Sequence, residues 1–195
     1  AGNVCSVKFA LERIGIESIV TSDIYELKKC DKIIFPGVGE ASSAMSYLKE
    51  NKMNEAILDF RQPVLGICLG MQLMCEHSEE GNIKCLGIFD QPVKKFSGDL
   101  KVPQIGWNSM ENLTDVNLFK DIKENECMYF VHSYYVGLNQ NNIAQTNYGI
   151  EFSSALKKNN FYGVQFHPER SGIAGQRILE NFLNINPKSQ MGLEI

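Results

Sequence analysis

Pro63-Val64-Leu65-Gly66-Ile67-Cys68-Leu69-Gly70 is the stretch on which the fold turns. Pro63 to Ile67 is an apolar run of strand length, and Leu69, Leu73 and Met74 follow it at helical spacing. Cys68 is thereby placed on the sharp turn between a buried strand and a helix. That is the setting of a nucleophile elbow, with cysteine in place of serine. Gly66 and Gly70 remove the Cβ atoms that would obstruct so tight a turn. The helix N-terminus favours a thiolate over a thiol, and it aims the Leu69 N–H at an oxyanion forming on an attacked carbonyl. A buried cysteine between two packing glycines is the plain alternative, and this segment alone leaves both open.

Strand and helix signals alternate outward from there. Val7, Ala10, Leu11 and Ile14 recur at helical spacing before Gly15, and Glu17 to Thr21 reads as a short strand. Lys32 to Phe35 reads as a strand running into Pro36-Gly37-Val38-Gly39, and Ala41, Ala44, Met45 and Leu48 mark the next helix. The second half is richer in strands: Lys84 to Phe89, Pro92 to Phe96, Met128 to Val136, Ile143 to Thr146, Phe152 to Leu156 and Phe161 to Phe166. Val102 to Trp107 reads as a loop, and a closing helix spans Ala174 to Leu183. The expectation is an α/β fold, a central and mostly parallel sheet flanked by helices. One domain over residues 1–185 is expected, with residues 186–195 a disordered or tag-like tail. The chain opens on a helix, so the expected sheet lacks a leading strand.

Composition narrows the function classes. The chain has 195 residues, 44% hydrophobic and 22% charged, with a net charge of -4. That balance is ordinary for a globular protein and unlike a nucleic-acid footprint. No apolar run approaches the roughly 20 residues that cross a bilayer, and Ala1 to Lys8 lacks a signal-peptide pattern; the cytoplasm is the expected location. The six cysteines form no C-x-x-C pair and only three histidines accompany them. Neither a metal site nor a disulfide framework is expected.

Two further segments carry chemistry. In Phe166-His167-Pro168-Glu169, extended backbone sets His167 and Glu169 on one side, where a carboxylate can orient an imidazole and stabilise its charged form. A surface His and Glu in a turn is the plain alternative. Pro36-Gly37-Val38-Gly39 follows a strand and allows N–H groups to approach a ligand, although an ordinary strand-to-helix turn would look the same. Strand C-termini at one sheet edge can bring Gly37, Cys68 and His167 together. His132, within an apolar strand, reads as a hydrogen-bonded structural histidine, and His77 as solvated.

Taken together these motifs resemble the class I (triad) glutamine amidotransferases. The blocks Phe35 to Gly39, Gly66 to Gln72, Ser78 to Gly81, Gly106 to Asn108, Tyr129 to Tyr134 and Gly163 to Gly172 look, within that family, like the glutaminase subunits of imidazole glycerol phosphate synthases. The resemblance implies a flavodoxin-like fold and hydrolysis of glutamine, with ammonia delivered to a (β/α)8-barrel cyclase subunit in a heterodimer of histidine biosynthesis. It implies Cys68 as nucleophile, His167 as general acid–base and Glu169 as its orienting carboxylate. Gly37, Val38 and Leu69 match the oxyanion region, and Gln72, Glu80, Ser133 and Tyr134 match the glutamine pocket. No cofactor is implied.

Two departures from the family pattern stand out. The strand that normally precedes an Ala-Gly-Asn-like start is missing. Gln104 stands where the family usually has histidine, at a position expected near the partner-facing surface, which hints at a paralogue feeding a sugar amidotransferase of surface-glycan synthesis. A stand-alone cysteine hydrolase and a non-enzymatic regulatory module are the rivals. Pro36 to Gly39 is expected to act as a switch, holding the oxyanion site off until a synthase binds.

Overall fold

A computed structural model describes residues 2–37 and 39–186. The first half runs α1 (Gly2–Arg13), α2 (Ile24–Leu27), β1 (Ile33–Gly37), α3 (Ala41–Glu50), α4 (Met53–Leu58), β2 (Val64–Cys68) and α5 (Leu69–Leu73). The second half runs β3 (Cys75–Ser78), β4 (Ile83–Lys84), β5 (Phe89–Lys95), β6 (Gln104–Ser109), β7 (Cys127–His132), β8 (Tyr134–Val136), β9 (Asn142–Asn147), β10 (Glu151–Lys158) and β11 (Phe161–Val164). A 3-10 turn (Pro168–Arg170) and α6 (Gly172–Leu183) complete it.

The central sheet has five strands in the order β1-β2-β11-β10-β9. β2 pairs in parallel with both β1 and β11, and β10 runs antiparallel to both β11 and β9. Alternation along β2 divides the core. Leu65 and Ile67 join Val7 and Leu11 of α1 and Ile178 and Phe182 of α6 on one face. Val64 joins Met45 and Leu48 of α3, Ile57 of α4 and Met71 of α5 on the other. Each such side chain, fully buried, contributes about 1.5–3 kcal/mol relative to exposure. Helices on both faces of a largely parallel sheet are the α/β architecture expected from the alternation of elements.

The sheet departs from expectation at several elements. Glu17 to Thr21 forms no strand: Ile19 and Val20 are 64% and 65% exposed. The segment lines, with α1 and β1, a cavity of about 1220 Å3. A strand needs a neighbour to take its N–H and C=O groups, and this segment pairs with no strand of the described sheet. Lys84 to Phe89 is likewise not one strand. Gly87 takes a φ of 72°, and the N–H groups of Cys85, Leu86, Gly87 and Ile88 bond to the carbonyls of Glu76, Leu73, Cys75 and Met74. The expected loop around Val102 to Trp107 instead contributes β6, paired antiparallel with β7 from Gln104↔His132 to Ser109↔Cys127. Met128 to Val136 divides at Ser133 into β7 and β8, which belong to different sheets. Of the expected tail, residues 187–195 lie outside the described residues.

Candidate active site

The parallel strands set the site. Gly37 at the end of β1 is in register with Cys68 at the end of β2, and Val164 at the end of β11 is in register with Ile67. The three C-terminal ends therefore open on one crevice, where open α/β sheets hold their ligands.

Cys68 sits at φ 53° and ψ -108°, between β2 and α5. A non-glycine residue held in so sparsely populated a region costs about 1–3 kcal/mol. The neighbouring glycines sustain it: a Cβ on Gly66 would lie 2.8 Å from both Gly70 C and Met71 N. The strain keeps the thiol at the strand end, half-buried rather than buried in the core. Its Sγ donates to the Val131 carbonyl at 3.8 Å and accepts from Gln165 Nε2 at 3.6 Å.

Beyond β11 the chain is tied to β7 by the His167 N–H, which donates to the Tyr129 carbonyl at 2.9 Å. Ser171 Oγ donates to the His167 carbonyl at 2.6 Å and accepts from the Tyr129 N–H at 2.9 Å. His167 Nδ1 donates to Glu169 Oε1 at 2.8 Å, both side chains being buried. The approach differs from the expected extended dipeptide, since Pro168 opens a 3-10 turn that folds Glu169 back under the ring.

Burial pushes the His167 pKa down, but interaction with Cys68 and Glu169 outweighs it and raises the group to about 9. His167 Nε2 makes no hydrogen bond of good geometry. The sulfur thus neighbours the ring without a formed hydrogen bond. His132, by contrast, is pushed down to about 4, chiefly by burial, so it stays neutral. Its Nδ1 donates to the Tyr134 carbonyl at 2.7 Å, as expected of a structural histidine.

The expected oxyanion and pocket residues gather around this centre, with one exception. Gly37 lies against Leu69 and Gly70, and Leu69 heads α5 directly after Cys68; Val38 lies outside the described residues. Gln72 is buried and donates from Nε2 to the Tyr134 carbonyl and to Gln165 Oε1, each at 2.9 Å. Glu80 Oε2 accepts the Ala41 N–H at 2.9 Å and so ties its loop to the start of α3. Ser133 joins β7 to β8, and its carbonyl accepts the Phe96 N–H at 3.1 Å. The Tyr134 phenol is raised by burial and then by Glu80, Glu40 and Glu79 nearby, which marks an acidic rim suited to an ammonium group. Gln104 departs from expectation: it is 3% exposed, inside the molecule instead of on a docking surface. Its place opposite His132 in the β6–β7 ladder explains this, because the alternating side chains there turn inwards.

Sequence reasoning missed Gln165, Val131 and Ser171. Gln165 lies two residues before His167, so strand alternation alone would have set it on the same side. Val131 and Ser171 act through the Val131 carbonyl and through a backbone-directed hydroxyl, which leave no chemical signature in a sequence. Among the described residues, no helix is long and apolar enough to cross a membrane.

Comparison with known proteins gives the family. Residues 3–185 match the family model of the class I glutamine amidotransferases. The chain is 56% identical over 188 residues to the imidazole glycerol phosphate synthase subunit HisH of Bacteroides fragilis, covering 95% of each. It is 48% identical over 186 residues to the subunit of the same name from Haemophilus influenzae, covering 95% of this chain and 94% of the other. In fold it resembles a solved glutamine amidotransferase (TM-score 0.71, 16% identity, 92% of this chain and 91% of the other). It also resembles the acivicin-bound glutaminase domain of Trypanosoma brucei CTPS (TM-score 0.61, 16% identity, 94% and 87%). The chain belongs to the class I glutamine amidotransferases.

Proposed function

We propose that the protein is the glutaminase subunit of an imidazole glycerol phosphate synthase, with Cys68, His167 and Glu169 as its catalytic triad. The single observation that carries the triad is the strained elbow cysteine facing a buried imidazole that is bonded through its far nitrogen to a carboxylate. Near-full-length identity to subunits of that name supports the pathway. The sugar-amidotransferase alternative leaned on Gln104 at a docking surface, and the burial of Gln104 removes that support. Residues 1–185 act in this reading as one glutaminase unit, located in the cytoplasm.

In the proposed reaction the Cys68 thiolate attacks the side-chain amide carbon of glutamine, and N–H groups near Leu69 and the Gly37 segment hold the oxyanion. The His167 imidazolium protonates the departing nitrogen, releasing ammonia and leaving a γ-glutamyl thioester. The neutral imidazole then takes a proton from water, which hydrolyses the thioester to glutamate. Glu169 keeps the Nδ1 proton in place throughout, so Nε2 does the chemistry. The acidic rim at Glu80 and Tyr134 receives the α-ammonium of glutamine. The ammonia passes to a (β/α)8-barrel cyclase docked over the crevice.

Replacing Cys68 with alanine tests the reading. Glutamine hydrolysis should vanish while the cyclase still binds and still turns over with free ammonia. Continued glutamine hydrolysis by the Cys68→Ala protein would refute it. A stand-alone hydrolase would instead turn over esters or peptides with no synthase present.

A further inference from the structure

Gln165 is completely buried beside the sulfur, and its orientation can be deduced. Glutamine amides are ordinarily ambiguous, since their oxygen and nitrogen look alike. Here the ambiguity is removed from one end. The Tyr134 carbonyl can only accept, so Gln72 must turn its Nε2 towards it, at 2.9 Å. The second Gln72 N–H then points at Gln165, also at 2.9 Å, and requires an acceptor there. Gln165 must present its Oε1 to Gln72, and its own Nε2 faces Cys68 Sγ at 3.6 Å. The opposite rotamer would set two NH2 groups against each other, leaving two buried donors facing with no acceptor between them. His132 holds the same Tyr134 carbonyl at 2.7 Å, which fixes the far end of the relay.

Two groups thus compete for the sulfur. The Val131 carbonyl accepts the thiol hydrogen and repels a thiolate. The Gln165 N–H donates, and a donor bonds more strongly to a charged acceptor than to a neutral one. We propose that Gln165, locked by Gln72 and the Tyr134 carbonyl, is a positioning residue that stabilises the Cys68 thiolate and holds it in line with the crevice. The proposal rests on Cys68 being the nucleophile. It also gives Gln72 a task besides lining the pocket, because both its N–H groups are committed to the relay.

The test uses the full chain and reads the sulfur directly. Iodoacetamide alkylation of the Cys68 peptide is followed by mass spectrometry across pH in the wild type, Gln165→Glu and Gln165→Met. Gln165→Glu keeps size and the acceptor towards Gln72 but loses the donor; Gln165→Met loses the donor without adding charge. Both should move the alkylation profile upward by about one pH unit, and lower kcat for glutamine in the synthase complex roughly tenfold, with KM changed far less. An unmoved profile in either folded variant overturns the proposal, even if kcat falls, because a merely structural residue would behave so. Should Gln165→Met fail to fold, Gln165→Leu, which also removes the donor without adding charge, decides in its place, because the Gln165→Glu carboxylate would raise the profile by repulsion alone. Failure of the nucleophile assignment would show separately, as glutamine turnover by Cys68→Ala.

Discussion

The backbones of Gly37 and Gly70 press together so closely that a Cβ built on Gly37 would stand 2.6 Å from the Gly70 nitrogen and 2.7 Å from Leu69 Cβ. The end of β1 is thus fitted against the elbow that carries Cys68, with no room for a side chain between them. Gly37→Ala should push the segment off the elbow and misplace the oxyanion donors. Loss of one such donor lowers kcat by about 100-fold or more. Steady-state kinetics of the synthase complex should show that fall with KM nearly unchanged, and thermal unfolding should show about 1–3 kcal/mol of lost stability from overpacking.

Glu169 fixes the proton on His167, and its removal should be visible by titration. Burial lowers the His167 pKa and its partners raise it to about 9. With Glu169→Gln the opposing effect weakens, so the pKa should fall towards the ordinary 6.5, as read from the imidazole resonances by NMR. The sign for stability follows from a folded pKa above the unfolded one. The contribution is complete below pH 6.5 and is lost as pH rises through about 9. The stability gap between the wild type and Glu169→Gln should therefore narrow across that window. A gap that widened would contradict the assignment.

Glu80 has two tasks in this account. Its carboxylate caps the Ala41 N–H and contributes to the acidic rim around Tyr134. Glu80→Ala should raise KM for glutamine by about tenfold, as expected when a charged hydrogen-bond partner of the substrate is lost. Stability should fall by about 1 kcal/mol through the uncapped α3. An unaltered KM would remove Glu80 from the pocket.

Far from the crevice, the buried Asp115 pairs with the partly exposed Lys157 and also accepts the Asn117 and Leu118 N–H groups. Asp115→Ala should destabilise by about 1–3 kcal/mol, chiefly because it leaves the Asn117 and Leu118 N–H groups of the turn without their acceptor. Lys157→Met, which leaves the turn bonded, should cost clearly less. Chemical denaturation of both variants measures the difference, and glutamine kinetics should be unchanged in each.

Much of the site was legible in the sequence because the relevant chemistry is local. Gly66 to Gly70 specifies the elbow through an apolar strand, two missing Cβ atoms and a helix start, and His167 and Glu169 are near neighbours in the chain. What escaped was set by tertiary partners. Glu17 to Thr21 has strand composition, yet it pairs with no strand of the described sheet. Val102 to Trp107 has a proline and a glycine that suggest a loop, yet β7 supplies a ladder that makes it a strand. Gln104 looked like a surface substitution until that ladder turned it inwards. Gln165 gave no signal as an isolated letter; its meaning comes from Gln72, ninety-three positions away, and from the Tyr134 carbonyl.

The most direct test of Cys68 as nucleophile is to trap its intermediate. The full chain with its cyclase, acid-quenched during glutamine turnover and digested, should yield a γ-glutamyl adduct on the peptide carrying Cys68, and none in Cys68→Ala. Steady consumption of glutamine with the adduct on another residue, or with no adduct under single-turnover quench, would contradict the account.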